Sequence, residues 1–269
     1  MNDIITDLQD MRYLSWTKSR KSSGTAGSFL KSYDDSGAIK KYYKLSDFDP
    51  IKGIVGHECI NEIIVQRLLS HFKIEHLEYR LIHALINIDG SEYNTWLCES
   101  DDYKAKDESK IALEDYYLMN RIDKETPFSF CIRNNWDDEI YGMLIIDYLI
   151  LNRDRHGANI EVLRSSKSKT VRLAPLFDHG LSFVCRCHDV SELKSFDVME
   201  DRPVQSFIGT NSSLSNVKLV PKEYISNLPA INEEALDRVF EGLNGIMTED
   251  YSEKIRFMIK ERWEYLADL

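Results

Sequence analysis

The sequence has no apolar run that approaches the roughly 20 residues a transmembrane helix needs. Its first residues, MNDIITDLQDMRYLSW, carry acidic side chains and lack the unbroken apolar core of a secretory signal peptide. Internal repeats and low-complexity tracts are also missing. We therefore expect no membrane span and a cytoplasmic location, with a secreted or host-delivered form left open.

Basic residues are fewer than acidic residues in this sequence. Lys and Arg number 34 against 45 Asp and Glu, which leaves a formal net charge of −11. Proteins that bind DNA or RNA need a basic face to displace the counterions of the phosphate backbone. The charge thus argues against direct binding of nucleic acid, although a local basic pocket for a phosphate ligand remains compatible with it.

Cysteines are few and do not form a recognisable framework. The five thiols are scattered and odd in number, which is typical of reduced cysteines in a cytosol-like compartment. The fragment Cys185-Arg-Cys187-His188 lacks a second ligand pair at zinc-site spacing, so we interpret it as incidental.

What the first half does contain is mainly strand-like sequence around one helix. Segments 27–33 and 38–46 flank the turn Asp34-Asp35-Ser36-Gly37 and predict a hairpin. Apolar residues at three- and four-residue steps predict a helix over 57–72. Segments 78–88 and 93–100 predict two further strands around Asp89-Gly90.

The second half has a helical pattern. A helix is predicted from Asp137 to Leu151, apolar on nearly every side and so buried. A small hairpin is predicted from 160–163 and 170–174, and an amphipathic helix from 248 to 269. With a soft boundary near 100–106, this order of elements predicts an α+β fold, with a small sheet-plus-helix lobe before a larger helical lobe.

Polar residues cluster directly after the buried helix, in Asn152-Arg-Asp-Arg-His-Gly-Ala-Asn159. Asp154 and Asn159 are five residues apart, and Asp178 follows the predicted hairpin. Phosphoryl transfer needs a carboxylate to orient the acceptor hydroxyl, and an amide oxygen with a second carboxylate to hold Mg²⁺. Asp-x-x-x-x-Asn is also the spacing of a protein-kinase catalytic loop. Asp and Asn are common turn formers as well, so the case depends on the three residues together.

These motifs resemble those of the HipA-like serine/threonine kinases. That family carries a Thr-Asp-x-His-x-x-Asn loop and a Pro-x-Tyr-Asp metal motif, whereas here Asn152-Arg153 precedes the aspartate and Phe177 replaces the tyrosine. The loop Asp-Arg-His-x-x-Asn also resembles that of phosphatidylinositol kinases. The resemblance covers residues 22–183 and implies a two-lobed protein-kinase-like fold, with lobes over 1–102 and 103–269.

The resemblance also implies a set of nucleotide-site residues. Asp154 would be the catalytic residue, and Asn159 and Asp178 would bind Mg²⁺. Lys44, in Tyr-Tyr-Lys-Leu, would contact the ATP phosphates and be anchored by Glu62, with Glu58 as the alternative anchor. The remaining ATP-site residues would be those of a small-residue phosphate loop and of the strand before the hinge, namely Gly24, Thr25, Ala26, Gly27 and Glu99.

The implied function is ATP- and Mg²⁺-dependent phosphorylation of a Ser/Thr hydroxyl on a protein substrate. The phosphate loop is dense in hydroxyls, which adds autophosphorylation at Ser22, Ser23, Thr25 or Ser28 as an expectation. An antitoxin-type protein partner, as in toxin–antitoxin systems, is compatible with the family. Two alternatives stay open, namely a lipid or small-molecule kinase of the same fold and a non-catalytic nucleotide-binding or interaction module.

Overall fold

A mostly antiparallel sheet forms the first lobe. In the computed structural model, residues 3–17, 29–187 and 189–269 are described. The strands of this lobe are β1 (Ile4–Asp10), β2 (Lys31–Asp34), β3 (Lys41–Leu45), β4 (Phe48–Asp49), β5 (Gly53–Ile54), β6 (Tyr79–Ile88) and β7 (Ser91–Asp101). Among the described residues the main sheet has the order β1-β6-β7-β3-β2, with β1 parallel to β6 and the other pairs antiparallel.

The predicted hairpins of this lobe are confirmed. Strands β6 and β7 join at Asp89-Gly90, where both residues have positive φ, at 51° and 89°. Such a pair of φ values suits the tight turns that match the twist of paired strands. Strand β2 begins at Lys31, later than the predicted 27, and residues 27 and 28 lie outside the described residues.

One long helix, α1 (Glu58–Phe72), packs between the sheet and the second lobe. The predicted range of 57–72 is confirmed, and the helix ends at Lys73 in the left-handed conformation, with φ of 59°. Arg67 on this helix forms a buried ion pair with Asp3 at 2.8 Å and donates to the carbonyl of Val239 at 2.9 Å. The helix is therefore fastened both to the start of the chain and to the second lobe.

The second lobe consists mainly of helices. They are α2 (Leu113–Asn120), α3 (Pro127–Arg133), α4 (Asp137–Leu149), α5 (Val190–Ser195), α6 (Ser213–Val217), α7 (Lys222–Ser226), α8 (Glu233–Phe240) and α9 (Glu249–Ala267). Short strands accompany them, namely β8 (Glu108–Ala112), β9 (Asp154–Arg155), β10 (Glu161–Ser165), β11 (Val171–Leu173) and β12 (Gln205–Ser206).

The predicted elements of this lobe are also found. Helix α4 lies within the predicted range but ends at Leu149, because Leu151 takes a left-handed conformation with φ of 50°. Strands β10 and β11 form the predicted hairpin, β8 adds a third strand to it, and α9 is the predicted C-terminal helix. The α+β fold with a sheet lobe and a helical lobe is confirmed. The division after residue 102 stays a prediction.

The largest apolar core lies where α1, α4 and α9 meet, and a second core covers the opposite face of the sheet. Within the described ranges, no helix is both long enough and apolar enough to cross a bilayer.

Candidate active site

The loop after α4 is held by its own side chains. Asn152 donates from Nδ2 to Oδ1 of Asp147 at 2.8 Å, and its own Oδ1 accepts the backbone N–H of Asp154 at 3.1 Å. Asp154 also lies in β9, which pairs in parallel with β12. Its backbone is thus fixed on two sides, while about a third of its side chain stays exposed, at 32%.

Asn159 forms a hydrogen bond directly to the backbone of Asp154. It ends a short 3-10 turn, Gly157–Asn159, and its Nδ2 donates to the carbonyl of Asp154 at 2.7 Å. Since the amide nitrogen is used in this way, the amide oxygen points away from that bond. His156 caps the turn by accepting the N–H of Ala158 at 3.2 Å, and its Nε2 lies 3.5 Å from Oδ1 of Asp154.

Arg155 is the residue of this loop that sequence reasoning missed. It is completely enclosed, with a side chain 1% exposed, and forms an ion pair with Asp147 at 2.9 Å. Its guanidinium also donates to the carbonyls of Asn159 at 3.2 Å and Phe177 at 3.0 Å. This one side chain therefore connects the end of α4 to the loop 152–159 and to the residue before Asp178. An arginine flanked by other charged residues in the sequence carries no signal for such burial.

The segment around Asp178 leaves the β10–β11 hairpin and passes under α1. Asp178 has a left-handed backbone with φ of 60°, and its N–H donates to the hydroxyl of Tyr79 at 3.3 Å. Just beyond it, Asn61 of α1 donates from Nδ2 to the carbonyl of Gly180 at 2.9 Å. A left-handed conformation costs free energy for a residue other than glycine, so these contacts stabilise an unusual backbone.

Three of the predicted charged residues meet at one point. Nζ of Lys44 lies 2.9 Å from Oε1 of Glu62 and also forms an ion pair with the carboxylate of Asp178. Glu62 is fully buried and accepts two further hydrogen bonds, from the backbone N–H groups of His179 at 2.9 Å and Gly180 at 3.1 Å. The geometry thus selects Glu62 over Glu58 as the partner of the strand lysine.

Lys44 is stabilised in its charged form by the two carboxylates that pair with it, Glu62 and Asp178. Burial by itself would lower the pKa of Lys44, but the neighbouring carboxylates of Asp178 and Glu62 outweigh it and hold that pKa well above its ordinary value. For Glu62, burial opposes ionisation, while Lys44 and the hydrogen bond from His179 lower the pKa below its ordinary value. Lys44 and Glu62 therefore stay charged near neutral pH.

The pKa of Asp154 shifts in the opposite direction to that of Glu62, because nearby positive charges do not fully offset its burial. Partial burial raises its pKa above the ordinary value, the nearby charge of Asp178 adds to the rise, and His156 and Arg155 oppose it. A carboxylate with a raised pKa accepts protons more readily, which is the property required of a group that takes a hydroxyl proton.

Two predicted parts of the ATP site remain predictions. Gly24, Thr25, Ala26 and Gly27 lie outside the described residues. Glu99 is buried in β7, where its carboxylate pairs with Lys41 at 3.2 Å and with Arg80, and its backbone lies between β6 and β3.

Two oxygen donors of the site suit a hard divalent cation. Mg²⁺ prefers carboxylate and amide oxygens, which Asp178 and Asn159 provide. The two residues come from adjoining segments, since Arg155 binds the carbonyls of both Asn159 and Phe177. The chemistry of these donors therefore fits Mg²⁺, and Lys44 forms an ion pair with one of them, Asp178.

The chain has the fold of the HipA-like kinases, as its likeness to two solved structures shows. No family model and no curated protein sequence matches the chain. Among solved structures, the Helicobacter pylori proinflammatory kinase CtkA is similar with a TM-score of 0.62 and 15% identity, over 96% of this chain and 95% of that chain. HipA of Shewanella oneidensis, from a toxin–antitoxin complex with HipB and operator DNA, is similar with a TM-score of 0.52 and 13% identity, over 91% of this chain and 67% of that chain. The resemblance seen in the sequence motifs is therefore confirmed for the fold.

Proposed function

We propose that the chain is an ATP- and Mg²⁺-dependent kinase that transfers the γ-phosphoryl group to a Ser/Thr hydroxyl of a protein. The observation that carries the proposal is the meeting of Lys44, Glu62 and Asp178 beside the Asp154–Asn159 loop. The HipA-like kinase fold supports it.

Each residue has a defined task in this proposal. The acceptor oxygen attacks the γ-phosphorus, the bond to the β-phosphate oxygen breaks, and the hydroxyl proton passes to the carboxylate of Asp154. Lys44, held by Glu62, neutralises phosphate charge, and Asn159 with Asp178 would hold Mg²⁺, which balances the charge on the leaving phosphate. Because these groups are fixed before the reaction, catalysis derives mainly from positioning and charge stabilisation.

The experiment is a transfer assay with γ-labelled ATP, Mg²⁺ and the purified protein. Asp154→Asn keeps the shape of the side chain and removes the proton acceptor, so we expect label incorporation to fall at least about 100-fold with nucleotide affinity retained. Asp123→Asn, an exposed carboxylate, is the matched control and should behave as wild type. Wild-type rates in Asp154→Asn would reject the assigned base.

The same assay separates the other acceptor classes. Label on the chain itself would identify autophosphorylation, for which Ser22, Ser23, Thr25 and Ser28 are the proposed positions. Label on a lipid or small molecule and not on protein would move the proposal to that kind of kinase. Nucleotide binding without any transfer would instead indicate a binding module.

A protein partner of the antitoxin type is a separate proposal. It is supported by the HipA neighbour, whose structure contains HipB and operator DNA. Co-purification of the chain with the product of an adjacent small gene would test it, and recovery of the chain alone from its native host would contradict it.

A further inference from the structure

The segment 178–183 begins and ends in a left-handed backbone conformation. Asp178 has φ of 60° and Phe183 has φ of 55°, although neither residue is glycine. A left-handed backbone costs free energy for a residue with a side chain, so it persists only where the surrounding structure holds it. Strain of this kind is common at functional sites. This segment also carries the aspartate to which the proposed function assigns Mg²⁺.

Two neighbouring residues of α1 hold the segment 178–183 through complementary groups. Glu62 accepts the backbone N–H groups of His179 at 2.9 Å and Gly180 at 3.1 Å. Asn61 donates from Nδ2 to the carbonyls of Gly180 at 2.9 Å and Ser182 at 3.3 Å. One carboxylate and one amide thus bind the donors and the acceptors of the same stretch of backbone.

The orientation of the Asn61 amide is fixed by its surroundings. The side chain is fully buried, and its Oδ1 accepts the hydroxyl of Tyr251 at 3.4 Å. A reversed amide would set Oδ1 against two carbonyl oxygens, neither of which can donate a hydrogen bond. Tyr251 belongs to α9, and its ring stacks on that of His57, with ring centroids 4.1 Å apart and an interplanar angle of 18°. The C-terminal helix therefore supports the amide at its oxygen.

The amide of Asn61 is not explained by the needs of α1 itself. Asparagine has a lower helix propensity than leucine or alanine, and a buried amide is destabilising unless it is hydrogen-bonded. An apolar side chain would suit the surroundings better, since Ile60, Ile63 and Ile64 of the same helix are buried. The amide at this position therefore serves the segment 178–183, to which it donates twice.

We propose that Asn61 is a positioning residue for Asp178, through which α1 and α9 set the geometry of the metal site. This role rests on the proposed function, in which the carboxylate of Asp178 binds Mg²⁺. Asn61 acts through the backbone of Gly180 and Ser182, two and four residues after that aspartate. Without the amide, the carbonyl of Gly180 loses this donor and the left-handed backbone of Asp178 is held less firmly. Its carboxylate is then presented to the metal for a smaller fraction of the time.

The first measurement is hydrogen–deuterium exchange of the purified chain without nucleotide or Mg²⁺. Asn61→Leu has a similar branched shape and removes the amide donor, so exchange at the N–H groups of His179 and Gly180 should become about tenfold faster. Tyr251→Phe removes one hydroxyl and should give a smaller increase. Asn134→Leu is the matched control, since it removes an amide that donates to a backbone carbonyl of α3 at 2.7 Å, and it should leave exchange in the segment unchanged.

The second measurement relates the segment to the metal. The Mg²⁺ concentration that gives half-maximal phosphoryl transfer should rise about tenfold in Asn61→Leu, while kcat at saturating Mg²⁺ stays close to that of wild type. A variant that only folds less well would instead lose kcat at every Mg²⁺ concentration. Binding of Mn²⁺ with a non-hydrolysable ATP analogue, followed by electron paramagnetic resonance, should show the same loss of affinity without turnover.

Each outcome bears on one of the two proposals. Wild-type exchange rates in Asn61→Leu would overturn the positioning role, and so would faster exchange with unchanged metal affinity. A wild-type chain that transfers no phosphate would refute the proposed function instead, and the exchange and Mn²⁺ measurements would still test Asn61. If Asn61→Leu fails to fold, Tyr251→Phe takes its place, because it removes only the hydroxyl bound to Oδ1. Wild-type exchange and Mn²⁺ affinity in Tyr251→Phe would then overturn the role.

Discussion

Replacing Glu62 with glutamine tests the centre of the candidate active site. The side chain is fully buried, and its two oxygens accept from Lys44 at 2.9 Å, Gly180 at 3.1 Å and His179 at 2.9 Å. Glutamine keeps one oxygen and turns an NH₂ group toward a backbone N–H donor. One charge-assisted hydrogen bond is lost and Lys44 loses one of its two carboxylate partners, which together should cost about 2–4 kcal/mol of unfolding free energy.

The loss is measured by urea unfolding and by thermal denaturation. For a chain of this size, such a loss corresponds to a decrease in Tm of about 5–10 °C. Under the proposed function, affinity for Mg-ATP should fall in parallel, because Lys44 would lose the partner that orients it toward the phosphates.

Glu58→Gln is the matched control. Glu58 is also buried and lies one turn earlier on α1, but its carboxylate accepts the N–H of Asp47 at 3.0 Å and has no ion pair with Lys44. Glutamine retains an oxygen for that bond, so we expect a loss of about 1 kcal/mol or less. Equal losses in the two variants, or unchanged stability and nucleotide affinity in Glu62→Gln, would refute the reasoning.

Two further predictions concern the loop 152–159. Burial and the charge of Asp178 raise the pKa of Asp154, so kcat/KM should be at its maximum above that pKa and fall as the pH decreases through it. His156→Gln removes an opposing positive charge and should move this acid limb of the pH profile to higher pH. An acid limb that does not move would contradict the assignment of Asp154. Arg155→Met leaves the carboxylate of Asp147 buried without its cation and should lower the free energy of unfolding in urea by about 3–5 kcal/mol. The double variant Arg155→Met/Asp147→Leu should recover part of this stability. A loss below about 1 kcal/mol in the single variant would show that the ion pair is dispensable.

Local patterns were sufficient to predict the elements that hold the candidate active site. Apolar spacing located α1 and α4, and turn residues located the β6–β7 hairpin, because each signal lies within a few neighbouring residues. Asp154, Asn159 and Asp178 were predicted from spacing and resemblance, and the structure places them on adjoining segments. The choice of Glu62 over Glu58 needed the fold, since both residues lie on α1 one turn apart.

Contacts between distant residues were not predictable in this way. Strand β1 pairs in parallel with β6, some 75 residues later, and a strand's partner is not encoded in its own sequence. Tyr79 supports Asp178 from a strand 99 residues earlier, and nothing in the alternating pattern of β6 distinguishes its hydroxyl. The short helices α5 to α8 span five to eight residues, which is too brief for helical periodicity to emerge.

The attachments of α1 have a mechanical consequence. Arg67 binds the carbonyl of Val239, and Asn61 binds the carbonyl of Gly180, so the helix is anchored to the second lobe at both ends. The same helix also binds the sheet lobe, through the Arg67–Asp3 ion pair and the bond from the N–H of Asp47 to Glu58. Lys44 belongs to the sheet and pairs with Asp178 of the second lobe. A movement that swings the sheet away from the second lobe would therefore separate Lys44 from Asp178, so this ion pair depends on how the two lobes are arranged.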